Sequence, residues 1–331
     1  MNKKKETICA VVVTYNRKKL LIECLESLLK QTYPLDAILI VDNASTDGTP
    51  ELLKEKGYIK ELPPKNLNQP WKKEFIMNNS FNNKSIKIHY IRMHENTGGA
   101  GGFHEGVKRG YEKGYDWLWL MDDDTYPTTE ALNELIKKRR IIKEKIGALQ
   151  SQAWMPDGKI DKCVNIINPS IWKVFIKGIF KPPSHHIDII LVDFIAFVGC
   201  LINTEVINTI GFPEDKLFIY TDDARYGLKM KKAGYKLFLI PESKVIHRVA
   251  NFGKRVSPWR KYYIYRNSLI LLLDFNSTFG KLKTFAGIWR IILRALVLFI
   301  IGILTANWKL SFLIIKAIHD GFFKKFDIIK S

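Results

Sequence analysis

Trp117-Leu118-Trp119-Leu120-Met121-Asp122-Asp123-Asp124 is the stretch whose reading decides the fold. An apolar run too short for an ordinary helix stops abruptly at three carboxylates. Unbroken apolar runs of this length mark strands buried on both faces of a parallel sheet, where alternation is lost. Ligands of open α/β sheets bind beyond the carboxyl ends of the strands. Three adjacent like charges there repel one another unless something cationic sits among them. Asp122 and Asp124, one residue apart, can aim oxygens at one point. Hard oxygen donors of that kind suit Mg2+ or Mn2+, which would in turn hold phosphate oxygens. Taken alone, the triplet is equally compatible with a solvated acidic turn before a helix, since Thr128 and Glu130 resemble a helix N-terminus.

Working outward, the same logic recurs upstream. Ile8 to Val13 is uniformly apolar and β-branched, so it reads as a central strand, with Thr14-Tyr15-Asn16-Arg17 as the turn at its carboxyl end. Lys18 to Gln31 carries Leu20, Leu21, Cys24, Leu25, Leu28 and Leu29 at helical spacing. Ala37 to Val41 is the next strand. It ends in the polar turn Asp42 to Gly48, after which Thr49 is expected to cap a helix with Pro50 at its first position. This βαβα order predicts a doubly wound α/β sheet with the strand ends on one rim. Gly57 to Lys84, rich in Pro, Asn and Lys, reads as an inserted surface loop. Ile86 to Ile91 resumes a strand and leads into His94-Glu95-Asn96-Thr97-Gly98-Gly99-Ala100-Gly101-Gly102. Glycines between a strand and a helix that begins near Ala100 would let backbone N–H groups approach a phosphate or sugar. A flexible loop would look the same.

Beyond the triplet, Thr129 to Lys143 is a basic amphipathic helix and Ile146 to Gln150 a short strand. Ser151 to Asp188 is irregular, and its adjacent His185 and His186 read as loop residues rather than metal ligands. Val192 to Ile202 reads as a buried strand. Thr221-Asp222-Asp223 opens a helix running to Lys232, where the helix dipole favours carboxylates in any case. Tyr235 to Ile240 and Lys244 to His247 are extended. His247 is either a satisfied strand-end histidine or a metal ligand. Val249 to Pro258 reads as a mobile segment.

The 331 residues are 47% hydrophobic and carry a net charge of +19. That supports a sizeable core, and the charge points to an anionic partner such as phosphorylated ligands, an anionic membrane surface or nucleic acid. The four cysteines show no metal-ligand spacing and suit a reduced compartment. Ile8 to Val13 is too short for the apolar core of a secretory leader, so none is expected. From Trp259 onward Leu and Ile runs mix with Tyr262, Tyr263, Tyr265, Trp289 and Trp308. The uncharged run Ala295 to Ala306 is shorter than the ~20 residues a bilayer span needs. Arg290 and Arg294 flank it one helical turn apart and can snorkel. Helices lying in a membrane interface are the expectation, with a helical packing region, a subunit interface, or a transmembrane helix through Phe285 to Ala306 as alternatives.

Together, Val-Val-Val-Thr-Tyr-Asn-Arg (11–17), Val-Asp-Asn-Ala-Ser-Thr-Asp-Gly-Thr (41–49), Asn-Thr-Gly-Gly-Ala-Gly-Gly (96–102), the triplet, Thr-Asp-Asp (221–223) and His247 resemble family 2 glycosyltransferases. Within that family the chain is most similar to galactofuranosyltransferases. The resemblance covers about Ile8 to Arg248. It implies a GT-A fold, a Rossmann-like doubly wound mixed sheet, over residues 1–250, followed by a C-terminal helical membrane-associating region over 251–331. It further implies UDP-galactofuranose as donor, Mn2+ or Mg2+ as cofactor, inversion at the anomeric carbon, and a lipid-linked or oligosaccharide acceptor in cell-surface polysaccharide synthesis. Carried over residue by residue, Thr14 and Arg17 would line the nucleotide pocket. Asp42 would contact uracil or ribose, Asn96 would lie beside the nucleotide, and Asn43, Gly98, Gly99 and Asp123 would complete the donor site. Asp122, Asp124 and His247 would hold the metal. Asp223 would be the base, with Asp222 beside it. Relatives usually carry Trp at the position of Thr221 and an acid at that of Arg225, which leaves the acceptor open. A peripheral location on the cytoplasmic face of the cell membrane follows, and self-association into a homo-oligomer stays open.

The chemistry is consistent with the residues. Displacing UDP leaves charge on a diphosphate that a divalent ion stabilises, and the attacking hydroxyl needs a carboxylate to take its proton. The rivals are a rhamnosyltransferase using dTDP-rhamnose, a basic metallonuclease, and an inactive scaffold. No nucleic-acid module is recognisable, so nucleic acid is not an expected partner.

Overall fold

The computed structural model describes residues 6–79, 81–82, 84–161, 188–248 and 256–329. Cys163, His185, His186 and residues 249–255 of the expected mobile segment lie outside them. The elements are β1 (Ile8–Thr14), α1 (Lys18–Leu29), β2 (Ala37–Asp42), α2 (Thr49–Glu55), β3 (Trp71–Asn78), β4 (Ser85–Arg92), α3 (Gly98–Glu112), β5 (Trp117–Asp122), β6 (Thr125–Pro127), α4 (Ala131–Ile141), β7 (Ile146–Trp154), β8 (Ile190–Leu191), β9 (Cys200–Asn203), α5 (Glu205–Ile210), α6 (Asp222–Lys232) and β10 (Lys236–His247). Helices α7 (Pro258–Asp274), α8 (Asn276–Phe279), α9 (Lys281–Leu304) and α10 (Trp308–Phe322) follow.

One ten-stranded mixed sheet runs in the order β3-β4-β2-β1-β5-β9-β7-β10-β6, with β8 against β10. Strands β4, β2, β1 and β5 are parallel, while β9 is antiparallel to both β5 and β7. From β1 the chain winds first to β2 and later to β5 on the other side. Their carboxyl ends form the crevice in which doubly wound sheets bind ligands. Strand β1 shows why alternation is absent from its sequence. Ile8, Ala10 and Val12 pack in one layer with Leu21, Leu25 and Leu28 of α1. Cys9, Val11 and Val13 pack in the opposite layer with Phe103 and Val107 of α3. Cys9, Cys24 and Cys200 are buried free thiols, as small apolar residues would be.

Several sequence expectations are corrected. The Gly57–Lys84 segment contains strand β3, antiparallel to β4 at the sheet edge. Its Lys72, Lys73 and Glu74 are exposed, and charged residues are the usual protection of an edge strand. Val192 to Ile202 is mostly not a strand: Val192, Ile195, Phe197 and Val198 are buried in irregular backbone, and pairing begins only at Cys200. Burial alone accounts for that apolar run. Strand β7 extends to Trp154, beyond the expected Gln150. The two extended stretches before His247 are one strand, β10, with a bulge between Ile240 and Lys244. At α2 the cap position is Gly48, with φ 86°, and Thr49 is the first helical residue. Asp47 Oδ1 accepts from the Thr49 N–H and hydroxyl.

The C-terminal helices pack on the sheet domain. Leu269, Leu271 and Leu272 of α7 share a cluster with Leu228 of α6, and Tyr262 and Tyr263 pack with Leu313 and Ala317 of α10. Helix α9 is one unbroken 24-residue helix, long and apolar enough to cross a membrane by length and composition. Its inner face buries Thr284, Gly287, Ile291 and Ala295. Its outer face exposes Phe285, Trp289, Leu293, Leu296 and Ile300.

Candidate active site

Strand register assembles the rim. Thr14 is paired with Asp42, Asp42 with Arg92, and Val13 with Asp122, so the ends of β4, β2, β1 and β5 line up. Asp42 is fully buried. Its Oδ2 accepts from Tyr90 Oη at 2.8 Å and Arg92 NH1 at 2.6 Å, and its Oδ1 from the Ser45 N–H at 2.9 Å. Every carboxylate oxygen of Asp42 is thus taken by protein donors that fix the turn after β2. Asn43 extends that turn sideways. Its Nδ2 donates to Asn96 Oδ1 and the Gly98 carbonyl, and its Oδ1 accepts from the Thr97 N–H and hydroxyl. The amide fastens the β2 turn to the loop before α3.

The acid triplet is held by a hydroxyl, an arginine and a histidine. Thr14 Oγ1 donates to Asp123 Oδ2 at 2.7 Å, a contact that follows from the β1–β5 register. Arg17 NH1 lies 3.2 Å from Asp123 Oδ1 and 2.7 Å from Asp124 Oδ2. Strand β6 leaves the triplet directly and pairs with β10, placing Thr125 opposite His247. His247 Nε2 is therefore 3.5 Å from Asp124 Oδ1, and its Nδ1 is 2.7 Å from Asp161 Oδ2. Burial opposes the charge of Asp124, yet His247 and Arg17 hold it below its ordinary value. His247 is likewise disfavoured by burial, but the carboxylates of Asp124 and Asp161 lift it to about 10. Burial and then the charges of Asp124 and Asp123 push Asp122 up to about 8. Asp123 rises to about 6 through burial, against the pull of Arg17.

Among the described residues, no three His, Cys, Asp or Glu side chains gather closely enough to hold one ion. The expected set Asp122, Asp124 and His247 is thus only partly assembled: Asp124 and His247 meet, and Asp122 does not close the set. A divalent cation nonetheless fits the chemistry of that pair. Asp124 Oδ1 is buried and makes no hydrogen bond but faces the His247 ring at 3.5 Å, so a cation taking the place of the ring proton would satisfy both atoms. Ions of the Mg2+ type commonly take one or two protein carboxylates and draw their remaining ligands from water and substrate phosphates.

The second acidic centre opens α6. Asp222 is buried, while Asp223 is partly exposed and therefore the member of the pair that a substrate can reach. Asp223 Oδ1 accepts the Ala224 N–H at 2.6 Å, and burial raises its pKa to about 6. Asp222 is raised well above its ordinary value by burial, then by Asp223, and further by Asp122. That last influence places the pair within electrostatic reach of the triplet. The approach to the pair is strained: Phe218, Tyr220 and Thr221 have φ of 68°, 66° and 66°. Such conformations of non-glycine residues cost on the order of 1–3 kcal/mol each and concentrate at functional sites. Arg225, at a position where the family resemblance implies an acid, is locked by ion pairs to Glu214 at 3.0 Å and Asp274 at 2.9 Å.

The Gly-rich loop spends two of its backbone donors on protein. Gly98 has φ 72°, and a Cβ there would sit 2.1 Å from the Phe218 carbonyl oxygen. The Ala100 N–H donates to that oxygen at 3.0 Å, and the Gly98 N–H donates to Asn96 Oδ1. These donors, expected to face a phosphate, are spent on protein. The close approach they permit joins the loop to the segment before Asp222. Farther along α3, added Cβ atoms at Gly102, Gly106 and Gly110 would lie 2.5 Å from Val13, Val11 and Leu118. The helical glycines therefore seat α3 on the sheet. Gly99 has open space around it.

Sequence reasoning passed over Asp161, Arg92, Arg266 and Asn267. Asp161 carries no local signal. Arg92 had one, a cation ending a strand beside the acid that ends its neighbour. Arg266 and Asn267 had another, a polar pair inside an apolar helix, since buried polar groups require partners.

Comparison with known proteins bears on the domain and the fold. The glycosyl transferase family 2 pattern matches residues 9–72 and 74–144. The galactofuranosyltransferase GlfT1 of Mycolicibacterium smegmatis is 24% identical over 231 residues, 69% of this chain and 67% of that protein. The dTDP-rhamnosyl transferase RfbF of Shigella flexneri is 25% identical over 198 residues, 56% of this chain and 63% of that protein. Among solved structures, the mannosyltransferase PcManGT of Pyrobaculum calidifontis, in complex with GDP-Man and Mn2+, superposes with a TM-score of 0.57 at 15% identity. That superposition covers 97% of this chain and 88% of that one. Residues 9–72 and 74–144 accordingly form a glycosyl transferase family 2 domain, and the chain is a glycosyltransferase whose mixed sheet resembles GT-A structures.

Proposed function

We propose that this chain is an inverting, divalent-metal-dependent transferase that moves galactofuranose from UDP-galactofuranose onto a lipid-linked or oligosaccharide acceptor in cell-surface polysaccharide synthesis. The observation that carries the reading is a pair of acidic centres within electrostatic reach of one another. One is Asp124 with its buried Oδ1 facing His247 Nε2, the other a partly exposed Asp223 beside the buried Asp222. The similarity to GlfT1 supports the choice of donor.

In this reading Asp124 and His247 would hold the cation, with Asp122 as the further carboxylate beside them. Asp161 keeps His247 oriented, as a carboxylate behind a ligating histidine commonly does. When bound, the ion supplies Lewis-acid stabilisation of the departing diphosphate. Arg17 and Thr14 position Asp123 and neutralise the rim, and the turn from Asp42 to Asn43 with the loop at Asn96, Gly98 and Gly99 shapes the nucleotide pocket. Asp223, with a pKa raised to about 6, is ionised at neutral pH yet basic enough to take the acceptor proton.

Helices α9 and α10 supply the membrane contact. Phe285, Trp289, Leu293, Trp308, Phe312 and Ile315 form an exposed apolar face. A stripe of α9 through Gly287, Ile291 and Ala295 packs on protein, and in this reading the helix lies in the membrane interface. With basic residues beside it, this face suits an anionic surface on the cytoplasmic side, where nucleotide sugars are made.

The similarity to RfbF supports a second donor, dTDP-rhamnose. A thermal-shift panel of UDP, dTDP and GDP with and without Mn2+, followed by transfer assays with UDP-galactofuranose and dTDP-rhamnose, separates the two. Stabilisation by UDP with Mn2+ and transfer from UDP-galactofuranose are expected. Preference for dTDP would move the assignment to rhamnose, and no response to any nucleotide would remove it.

A further inference from the structure

Helix α7 reaches the segment in front of the acid pair through two residues. Arg266 and Asn267 are both fully buried. Asn267 Nδ2 donates to the carbonyls of Leu217, Ile219 and Tyr220 at 3.1, 2.7 and 3.1 Å. Arg266 NH2 adds a bond to Leu217 at 2.8 Å, and its Nε donates to Asn267 Oδ1 at 2.8 Å. The orientation of the amide is chemically forced. An arginine only donates and a carbonyl only accepts, so the Asn267 oxygen must face Arg266 and its NH2 must face the three carbonyls. Arg266 is pinned in turn by the Asp327 carbonyl at 3.0 Å and by the rings of Tyr262 and Tyr263.

The clamped segment is the strained one. Phe218, Tyr220 and Thr221 hold positive φ, and Asp222 and Asp223 follow immediately. Strained backbone persists only where its surroundings over-determine it. Here the determinants are the Asn267 amide, the stacking of Phe218 on Tyr263 at 5.1 Å, and the Phe218 carbonyl bound by Ala100. The same five-residue stretch thus touches the C-terminal helices on one side and the Gly98 loop on the other.

We propose that Asn267, oriented by Arg266, is a positioning residue for transfer: it sets the backbone from Leu217 to Tyr220 and so the aim of Asp223. The C-terminal helices are then part of the catalytic apparatus and not only a membrane contact. The proposal rests on Asp223 being the base.

The test uses the full chain, UDP-galactofuranose as donor and an octyl galactofuranosyl glycoside as acceptor, with UDP release as readout. Asn267→Asp sets a carboxylate oxygen against three carbonyls. Asn267→Ser keeps a single donor and serves if the first variant folds poorly. Both are compared with Asp223→Asn and with the double variant Asp223→Asn/Asn267→Ser. Misplacing a catalytic group by about an ångström costs ~10²-fold. Asn267→Ser should therefore lower kcat by about that factor or somewhat less, with donor KM and calorimetric UDP affinity unchanged. In the double variant the loss should match that of Asp223→Asn alone, since residues acting as one unit are not additive. Full multiplication of the two losses, or Asn267→Ser turnover within twofold of wild type, would overturn the proposal while leaving Asp223 as base. Near-wild-type turnover of Asp223→Asn would remove the base and this proposal with it.

Discussion

Replacing Asp42 with Asn separates two roles for a residue at the heart of the donor rim. The carboxylate is fully buried and accepts from Tyr90, Arg92 and the Ser45 N–H. An amide keeps one acceptor oxygen for the Ser45 N–H, and its NH2 can donate to the Tyr90 hydroxyl oxygen but is set against the Arg92 guanidinium. The charged bond to Arg92 is lost, worth about 1.5–3 kcal/mol, the Tyr90 bond falls to neutral strength, and the largely buried guanidinium loses its counter-charge. Arg92 retains its bond to the Ser45 carbonyl and is 17% exposed, so water recovers part of the loss. A net destabilisation of about 3 kcal/mol is expected, and ~2–4 °C per kcal/mol for large domains makes that roughly 6–12 °C in Tm. Thermal and urea denaturation measure it, and calorimetry gives the UDP affinity of the folded protein. Affinity should fall far less than stability, because the oxygens of Asp42 face protein. A large loss of UDP affinity with an unchanged denaturation midpoint would refute this reasoning and make Asp42 a direct nucleotide contact.

Asp223→Asn should lower turnover by ~10²–10⁴-fold with UDP affinity nearly unchanged, the signature of a lost general base; equal losses of rate and affinity would make it a donor-binding residue. Burial and then Lys113 depress the pKa of His89 to about 4, so the unfolded chain binds that proton more readily below pH 6.5. Stability should fall as pH drops from about 6.5 to about 4, by up to ~3 kcal/mol from this group, and His89→Gln, tested by denaturation across that range, should flatten the difference. Leu293→Glu and Phe312→Glu, on the exposed faces of α9 and α10, should reduce sedimentation with anionic vesicles without changing UDP affinity; unchanged sedimentation would count against these helices as the membrane contact.

What could be read from the chain alone follows burial and register. Strands β1, β2 and β5 were legible because both faces are covered and their carboxyl ends switch abruptly to polar residues. Strand β3 was not, because an edge strand needs little apolar content and its Lys-rich sequence resembles a loop. The run from Val192 to Val198 failed the opposite way, since irregular backbone can be as buried as a strand. The site residues were legible as types but not as neighbours. Thr14 meets Asp123 only through the pairing of Val13 with Asp122, and His247 meets Asp124 only because β6 returns against β10. The glycines near residue 98 were visible as a motif. Their use is set by tertiary contacts: Gly98 admits the Phe218 carbonyl from more than a hundred residues away, and Gly102 seats α3 against Val13 of β1.

The central claim is tested most directly by calorimetric titration of UDP into the full chain with and without Mn2+, wild type beside Asp124→Asn. The account predicts UDP binding that requires the metal in the wild type and is lost in a correctly folded Asp124→Asn. A wild-type protein that ignores UDP, or a variant whose metal-dependent affinity is unchanged, would contradict it.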